Sequence, residues 1–392
     1  MLHANSDPKE IITAQAKARL REFLDSDSLF HLPRPTHPQL SILLVLYNRA
    51  ELTLTCLQSL QSCLQETAAE IVLVDNASRD ETSILLDRIR GATIIRNRDN
   101  AGFPVAVNQA AEAAAGELLL LLNNDTEVLD DSVNDAVRFL ADNPDVGAVG
   151  GRLILLDGML QEAGCTLWRE GHVFQYGRGD SPTAAEYQFQ RDVDYCSGAF
   201  LMTRRELFHK MGGLDPAFSP GYFEDVDYCV RLWRCGWRTV YLPEVAVRHY
   251  ENASSACHKS LNHLYRRNHV LFCHKHADWL CWQCPSVSTP PLWARSSHDD
   301  RFKVLYLPTK GSSWIAQTVD RLRSLNCFVT VFPVSADAFP PANEDHPTLP
   351  ADVEVLPGGG LDTLPRLLAD RGNYYDRILA SDPRVLEQIK IN

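Results

Sequence analysis

The stretch ELLLLLNND, from Glu117 to Asp125, limits the fold of this chain more than any other segment. Five leucines in a row, without polar alternation, read as a strand buried on both faces, the state of a strand in a parallel sheet covered by helices. Ligands of such sheets bind beyond the carboxyl ends of the strands. Asn123, Asn124 and Asp125 stand at that rim, in position to hold something small, charged or metal-bound.

The surrounding pattern agrees. SILLVLY, EIVLVD and ATIIRN read as further strands, while ELTLTCLQSLQSCL, RDETSILLDRIR and FPVAVNQAAEAAA read as helices between them. Strands alternating with helices predict an open, mostly parallel α/β sheet with helices on both faces. Residues 1–38 read as a helix from about Ile11 to Leu24 followed by the turn-rich linker HLPRPTHP, and residues 39–284 as the main domain. Within it, residues 157–192 are Gly-rich and polar and read as an excursion from the sheet. A Pro- and Ser-rich linker over 285–300 leads to a smaller α/β unit over 301–392.

The net charge of -12 argues against a nucleic-acid partner and suits an anionic substrate handled through a divalent cation. The amino terminus lacks a basic start and apolar signal core, and no run approaches the roughly 20 apolar residues of a membrane span. The expectation is a cytoplasmic protein with reduced thiols among its 11 cysteines. In CHKHADWLCWQC, residues Cys273, His274, His276, Cys281 and Cys284 offer zinc-ligand chemistry, with a Cys- and His-rich helix end as the alternative.

Candidate chemistry collects at strand ends. Where a dinucleotide fold would carry a G-x-G-x-x-G turn, this chain has Tyr47, Asn48 and Arg49, and the next strand ends in Asp75 and Asn76. Each alone reads as a turn or helix cap; together at adjacent strand ends they favour a nucleotide pocket. NRDNAGFPVAVN places Gly102 and Phe103 at a helix start that could offer N–H groups to an anion, with Asn108 one turn inside. Asp125 is the leading metal ligand, because a hard divalent cation takes oxygen ligands and keeps positions open for phosphate. His249, at the end of VAVRHY, lies on the ligand side of the sheet and could share that metal, unless it is simply packed. In YFEDVDYCVRLWRCGW, the three carboxylates Glu224, Asp225 and Asp227 exceed what a helix cap requires. Their repulsion would raise at least one pKa, as a general base needs.

The ordered run LYNR, VDNAS, NAGFPVAVN, LLLNND, CSGAFLMTRR, GGLDPAF, YFEDVDYCVRLWRCGWR and VRHYENAS resembles family 2 glycosyltransferases of the glycosyltransferase A fold, in particular the bacterial rhamnosyltransferase-like group. The likeness covers about Gln39 to Trp279. It implies inverting transfer of a sugar from a nucleotide-diphosphate sugar to a hydroxyl of a glycan or lipid-linked acceptor in cell-surface polysaccharide synthesis, with Mn2+ or Mg2+ as cofactor. Peripheral contact with the inner face of the membrane goes with such an acceptor. The family's nucleoside contacts fall on Tyr47, Asn48, Asp75 and Asn76, with Arg49, Gly102, Phe103, Asn108, Asn123 and Asn124 lining the same region. Its diphosphate and metal contacts fall on Asp125 and His249. Its base falls on Asp225, with Glu224 orienting the acceptor. The family's D-x-D motif appears here as NND, leaving Asp125 as its single carboxylate.

Residues 301–380 resemble the opening half of a glycosyltransferase B fold domain, which implies a docking or structural role, or the beginning of a longer protein, and no second active site. Two rival readings remain. A sugar-phosphate nucleotidyltransferase would need a Gly-rich basic signature where LYNRAEL stands, and a sugar-nucleotide-binding scaffold would tolerate loss of the base and metal carboxylates.

Overall fold

A computed structural model describes residues 8–64, 66–251, 258–309, 312–335 and 349–389. The chain forms two compact units. One holds the described residues up to Pro182 together with Val193–Ser286, the other Thr183–Asp192 together with those from Val287 onward.

The first unit begins with α1 (Pro8–Asp25) and continues through β1 (Leu40–Leu46), α2 (Ala50–Cys63), β2 (Ala69–Asp75), α3 (Thr82–Asp87), β3 (Thr93–Arg96), α4 (Phe103–Ala113) and β4 (Leu118–Asn123). Then come β5 (Thr126–Leu129), α5 (Ser132–Asp142), β6 (Val146–Ile154), β7 (Leu160–Ala163), β8 (Cys165–Leu167), β9 (Val173–Gln175), β10 (Phe200–Arg204), α6 (Arg205–Lys210), α7 (Glu224–Arg234), β11 (Arg238–His249) and α8 (His258–Lys275). The central sheet runs β11-β6-β10-β4-β1-β2-β3, with β5 paired to β11 and β7 to β6. The strands β3, β2, β1 and β4 are mutually parallel, and β10 runs antiparallel between β4 and β6. This is the open, mostly parallel α/β sheet that the alternation of strands and helices predicts.

Every residue of β1 is buried, and all five leucines of β4 are as well. Helices on both faces remove these apolar side chains from water, which explains the absence of alternation. The registers set Leu46 opposite Asp75 and Val45 opposite Asn123, so three strand ends open at one rim.

The second unit has β12 (Phe302–Leu307), α9 (Ser312–Ser324), β13 (Cys327–Val331), β14 (Glu354–Val355), α10 (Leu364–Arg371), β15 (Arg377–Ala380) and α11 (Pro383–Ile389). Its sheet is parallel, in the order β14-β13-β12-β15. Thr183–Asp192, which the sequence assigns to the main domain, packs here instead. Phe189 lies 5.8 Å from the Phe328 ring, Arg295 stacks 5.0 Å from Phe189, and Gln190 N–H donates to the Ala351 carbonyl at 2.8 Å. Among the described residues, no helix is long and apolar enough to cross a membrane.

Glu354 is fully buried in this unit between two guanidiniums, Arg295 at 3.1 Å and Arg371 at 2.8 Å. Burial alone would raise its pKa, but the two arginines hold it down to about 2, from an ordinary 4.5. A carboxyl that titrates lower folded than unfolded stabilises the fold fully above the ordinary carboxylate range, and this contribution is lost as pH falls toward 2. An acid titration followed by fluorescence, with Trp293 5.8 Å from Tyr374 as reporter, should show this loosening. Glu354→Gln should be less stable at neutral pH and should flatten the slope in that window. An unchanged slope would contradict the assignment.

Candidate active site

A cleft of about 1030 Å³ opens at the carboxyl ends of the central strands of the first unit. Tyr47, Asn76, Phe103, Asn123, Asn124, Asp125, Glu224, Asp225 and His249, all singled out in the sequence, line it. Segments more than two hundred residues apart in sequence reach one surface because parallel strands all end on the same side.

At one part of the cleft, Asp125 and His249 face each other, with 3.2 Å between Oδ1 and Nε2. The pairing of β5 with β11 produces this contact, because it sets His249 opposite Thr126, the residue after Asp125. Both side chains are buried. His249 Nδ1 lies 2.8 Å from Gln161 Oε1; with Nδ1–H donating there, Nε2 is left aimed at Asp125. Burial, the largest single influence, disfavours the imidazolium, but the charge and hydrogen bond of Asp125 together with the charges of Glu251 and Glu162 outweigh it, and the His249 pKa is raised. A carboxylate oxygen beside an imidazole nitrogen whose ring is fixed by an amide is a donor set that fits a divalent cation. Among the described residues no group of three or more His, Cys, Asp or Glu converges as a metal site. A cation here would therefore complete its coordination with water and phosphate oxygens.

Elsewhere in the cleft, α7 begins with Glu224 and Asp225. The preceding residues, Tyr222 and Phe223, have φ of 74° and 73°, a left-handed conformation costly for aromatic side chains. Asn268 on α8 holds them there. Fully buried, its Nδ2 donates to the carbonyls of Phe218 at 2.8 Å, Gly221 at 2.9 Å and Tyr222 at 2.9 Å. Asp225 accepts from the backbone N–H of Gly198 at 2.9 Å and of Val226 at 2.8 Å. Burial raises its pKa and these N–H groups counteract the rise. Glu224 is raised much further, by burial and then by the Asp225 charge, and its Oε2 has no hydrogen-bond partner. Both carboxyls are thus pushed up, Glu224 the further, which leaves Asp225 the more readily ionised of the two.

The third carboxylate of that run has another task. Asp227 is fully buried and bound to Arg231 at 2.8 Å, Lys275 at 2.7 Å and His276 at 2.8 Å. Burial would raise its pKa, but His276, Arg231 and Lys275 lower it. It anchors α7 to the end of α8.

Other sequence candidates shape the cleft without lining it. Asn48 and Arg49 form the left-handed turn into α2; Asn48 Oδ1 accepts from Arg79 N–H at 2.8 Å, and Arg49 pairs with Glu51 at 2.8 Å. Asp75 accepts from Ser78 N–H at 2.9 Å. Asn76, although at the cleft, also ties its loop together by donating to Asn100 at 2.9 Å and accepting from Ala101 N–H at 3.0 Å. Gly102, with φ of +85°, packs where a Cβ would come within 3.0 Å of the Pro220 backbone. Asn108 has both amide ends on the Leu214 backbone, at 2.8 and 2.9 Å, and braces the loop before α7. In the Cys- and His-rich run, His276 is bound to Asp227, Cys281 Sγ donates to the Asp278 carbonyl at 2.9 Å, and Cys273 lies 3.4 Å from His269.

Sequence reasoning missed the wall formed by Gln161, Glu162, Gln175, Arg178 and Tyr195, all of which line the cleft. The available signal was the polar pair Gln161–Glu162 inside the otherwise apolar β7 and β8 region.

Comparison with known proteins adds the following. Residues 41–212 match the model of Glycosyl transferase family 2. The chain is 33% identical over 226 residues to the O-antigen biosynthesis protein RfbC of Myxococcus xanthus, across 55% of this chain and 18% of that protein. It is 26% identical over 251 residues to an N-acetylglucosaminyl-diphospho-decaprenol L-rhamnosyltransferase of Mycobacterium tuberculosis, across 57% of this chain and 80% of that protein. A solved mannosyltransferase of Pyrobaculum calidifontis, in complex with GDP-Man and Mn2+, is 20% identical with a TM-score of 0.45, over 74% of this chain and 76% of that one. The matched region thus spans less than a fifth of RfbC but most of the mycobacterial relative.

Proposed function

From the match of residues 41–212 to the model of Glycosyl transferase family 2, we propose that the protein moves a sugar from a nucleoside-diphosphate sugar to an acceptor hydroxyl, inverting the anomeric centre. The observation that carries this reading is the presence, in one cleft, of the Asp125–His249 pair and of Asp225 held by two backbone N–H groups. The first suits a diphosphate, the second a hydroxyl that must lose its proton.

In this mechanism Asp225 accepts the proton of the acceptor hydroxyl as its oxygen attacks the anomeric carbon in line with the leaving diphosphate. Glu224, kept neutral, donates a hydrogen bond that orients the acceptor. Tyr47, Asn76, Asn123 and Asn124 surround the nucleoside, and Asn48, Arg49, Asp75, Gly102, Phe103 and Asn108 set the backbone around it. Asp125 and His249 would hold a divalent cation, Mn2+ or Mg2+, which when bound would neutralise charge developing on the diphosphate. The names of the relatives support a glycan or lipid-linked acceptor in surface-polysaccharide synthesis; on this reading the protein works in the cytoplasm at the inner face of the membrane.

Incubation with a panel of sugar nucleotides and a glycan acceptor tests the reading: release of nucleoside diphosphate is expected. Tight binding without release would favour the scaffold alternative. If Asp125 and His249 share a cation, Asp125→Ala and His249→Ala should each weaken Mn2+-dependent binding of nucleoside diphosphate more than binding of the bare nucleoside. Equal loss for both ligands, or full activity in excess chelator, would count against a shared cation.

A further inference from the structure

Arg178 is the single Arg or Lys among the described residues lining the cleft, where it stands among several carboxylates. Its guanidinium is held from two sides, donating to Gln175 Oε1 at 2.9 Å and to Glu251 Oε2 at 2.9 Å. Gln175 in turn donates to the buried Glu162 at 3.1 Å. The ion pair stays accessible, with side-chain exposures of 41% for Arg178 and 28% for Glu251. Glu251 itself sits two residues beyond His249 with φ of 41°, a left-handed conformation uncommon for a residue other than glycine.

An accessible ion pair contributes little to stability and exchanges easily. A diphosphate as a whole, or a phosphate monoester, carries more charge than a carboxylate, and its oxygens match the planar fork of a guanidinium with two parallel hydrogen bonds. We propose that Arg178 is a phosphate-binding residue, which releases Glu251 to take a substrate phosphate at the end of the cleft next to His249. The inference rests on the nucleotide-sugar reading of the cleft. The phosphate has two candidate sources, the donor diphosphate and a phosphate attached to the acceptor. Glu251 acts as the placeholder in the empty site, and Gln175 keeps the guanidinium facing the cleft in either state.

The test is calorimetric titration of the full chain with inorganic pyrophosphate and with UDP, GDP and dTDP, each with Mn2+, for the native protein, Arg178→Gln, Arg178→Lys and Glu251→Gln. Thermal unfolding serves as a check that the variants fold. Arg178→Gln should weaken pyrophosphate binding about tenfold, the loss of a charge-assisted contact. Arg178→Lys should fall between it and the native protein, and Glu251→Gln, which removes the competing carboxylate, should tighten binding by about threefold. If the donor supplies the phosphate, nucleoside-diphosphate affinity follows the same order. If the acceptor supplies it, nucleoside-diphosphate affinity stays constant, and pyrophosphate still binds the nucleotide-saturated protein in an Arg178-dependent way. A merely structural latch predicts that breaking it from either side has the same effect; equal weakening in Arg178→Gln and Glu251→Gln, or no change in either, overturns the proposal. Opposite shifts for pyrophosphate in a protein that binds none of the nucleotides would retain the phosphate site and reject the nucleotide-sugar reading.

Discussion

Replacing Asp225 by asparagine is expected to lower transfer by roughly 10²- to 10⁴-fold while leaving donor binding intact, the loss typical of removing acid–base assistance. The substitution keeps the shape of the side chain, and its amide oxygen can still accept from one of the two N–H groups, Gly198 or Val226, that Asp225 binds through separate oxygens, so a thermal melt of the variant should accompany the assay. What disappears is the capacity to hold a proton. The pH profile carries a second signature. Burial raises the Asp225 pKa, so activity should fall on the acid side of neutrality as the carboxylate becomes protonated, and the residual activity of the asparagine variant should lose that limb. Near-normal turnover with an unchanged profile would shift the role of base to Glu224.

Asp227→Ala should behave in the opposite manner, as a stability defect. The carboxylate is fully buried and compensates Arg231, Lys275 and a nearly fully buried His276. Removing it takes the carboxylate from His276 and Arg231, while Lys275 keeps Asp215 at 2.6 Å, a loss of about 3 kcal/mol after allowing for that remaining pair and the partial exposure of Lys275 and Arg231. In a domain of this size that lowers the unfolding midpoint by roughly 6–12 °C. Well below that midpoint the variant should retain most of its activity, since Asp227 does not line the cleft. A protein that melts normally but has lost turnover would place Asp227 in the chemistry and disprove the anchoring role.

The contrast between two neighbouring aspartates shows what the sequence could and could not tell. The run FEDVD marks α7 as chemically rich, but nothing in it distinguishes a carboxylate facing a cleft from one facing α8. The strands β1, β2 and β4 were legible because each is a run of apolar residues with no competing pattern. Their polar termini were legible because a parallel sheet binds ligands at its carboxyl edge. Asn108 misled for a related reason: its place one turn into α4 suggested the pocket, whereas its amide is tied to Leu214 across more than a hundred residues. Gln161, Glu162 and Arg178 stayed hidden because short strands in a Gly-rich excursion have no periodicity to announce them. Asn268 had no signal at all, since a buried asparagine in a helix is identified only by the carbonyls it meets.

The packing of Thr183–Asp192 with the C-terminal unit bears on how these two parts of the chain can be inherited and recombined. The gene does not encode the second unit as one uninterrupted block, because Phe189 and Gln190 are written in the midst of the first unit while Phe328, Arg295 and Ala351, their partners, lie beyond residue 286. A crossover in the linker would therefore join a foreign C-terminal unit to a native Thr183–Asp192 segment whose aromatic ring and backbone N–H had been fitted to another surface. Viable chimeras between relatives should be those that exchange both pieces together, and substitutions at Phe189 should be correlated in descent with substitutions at Phe328.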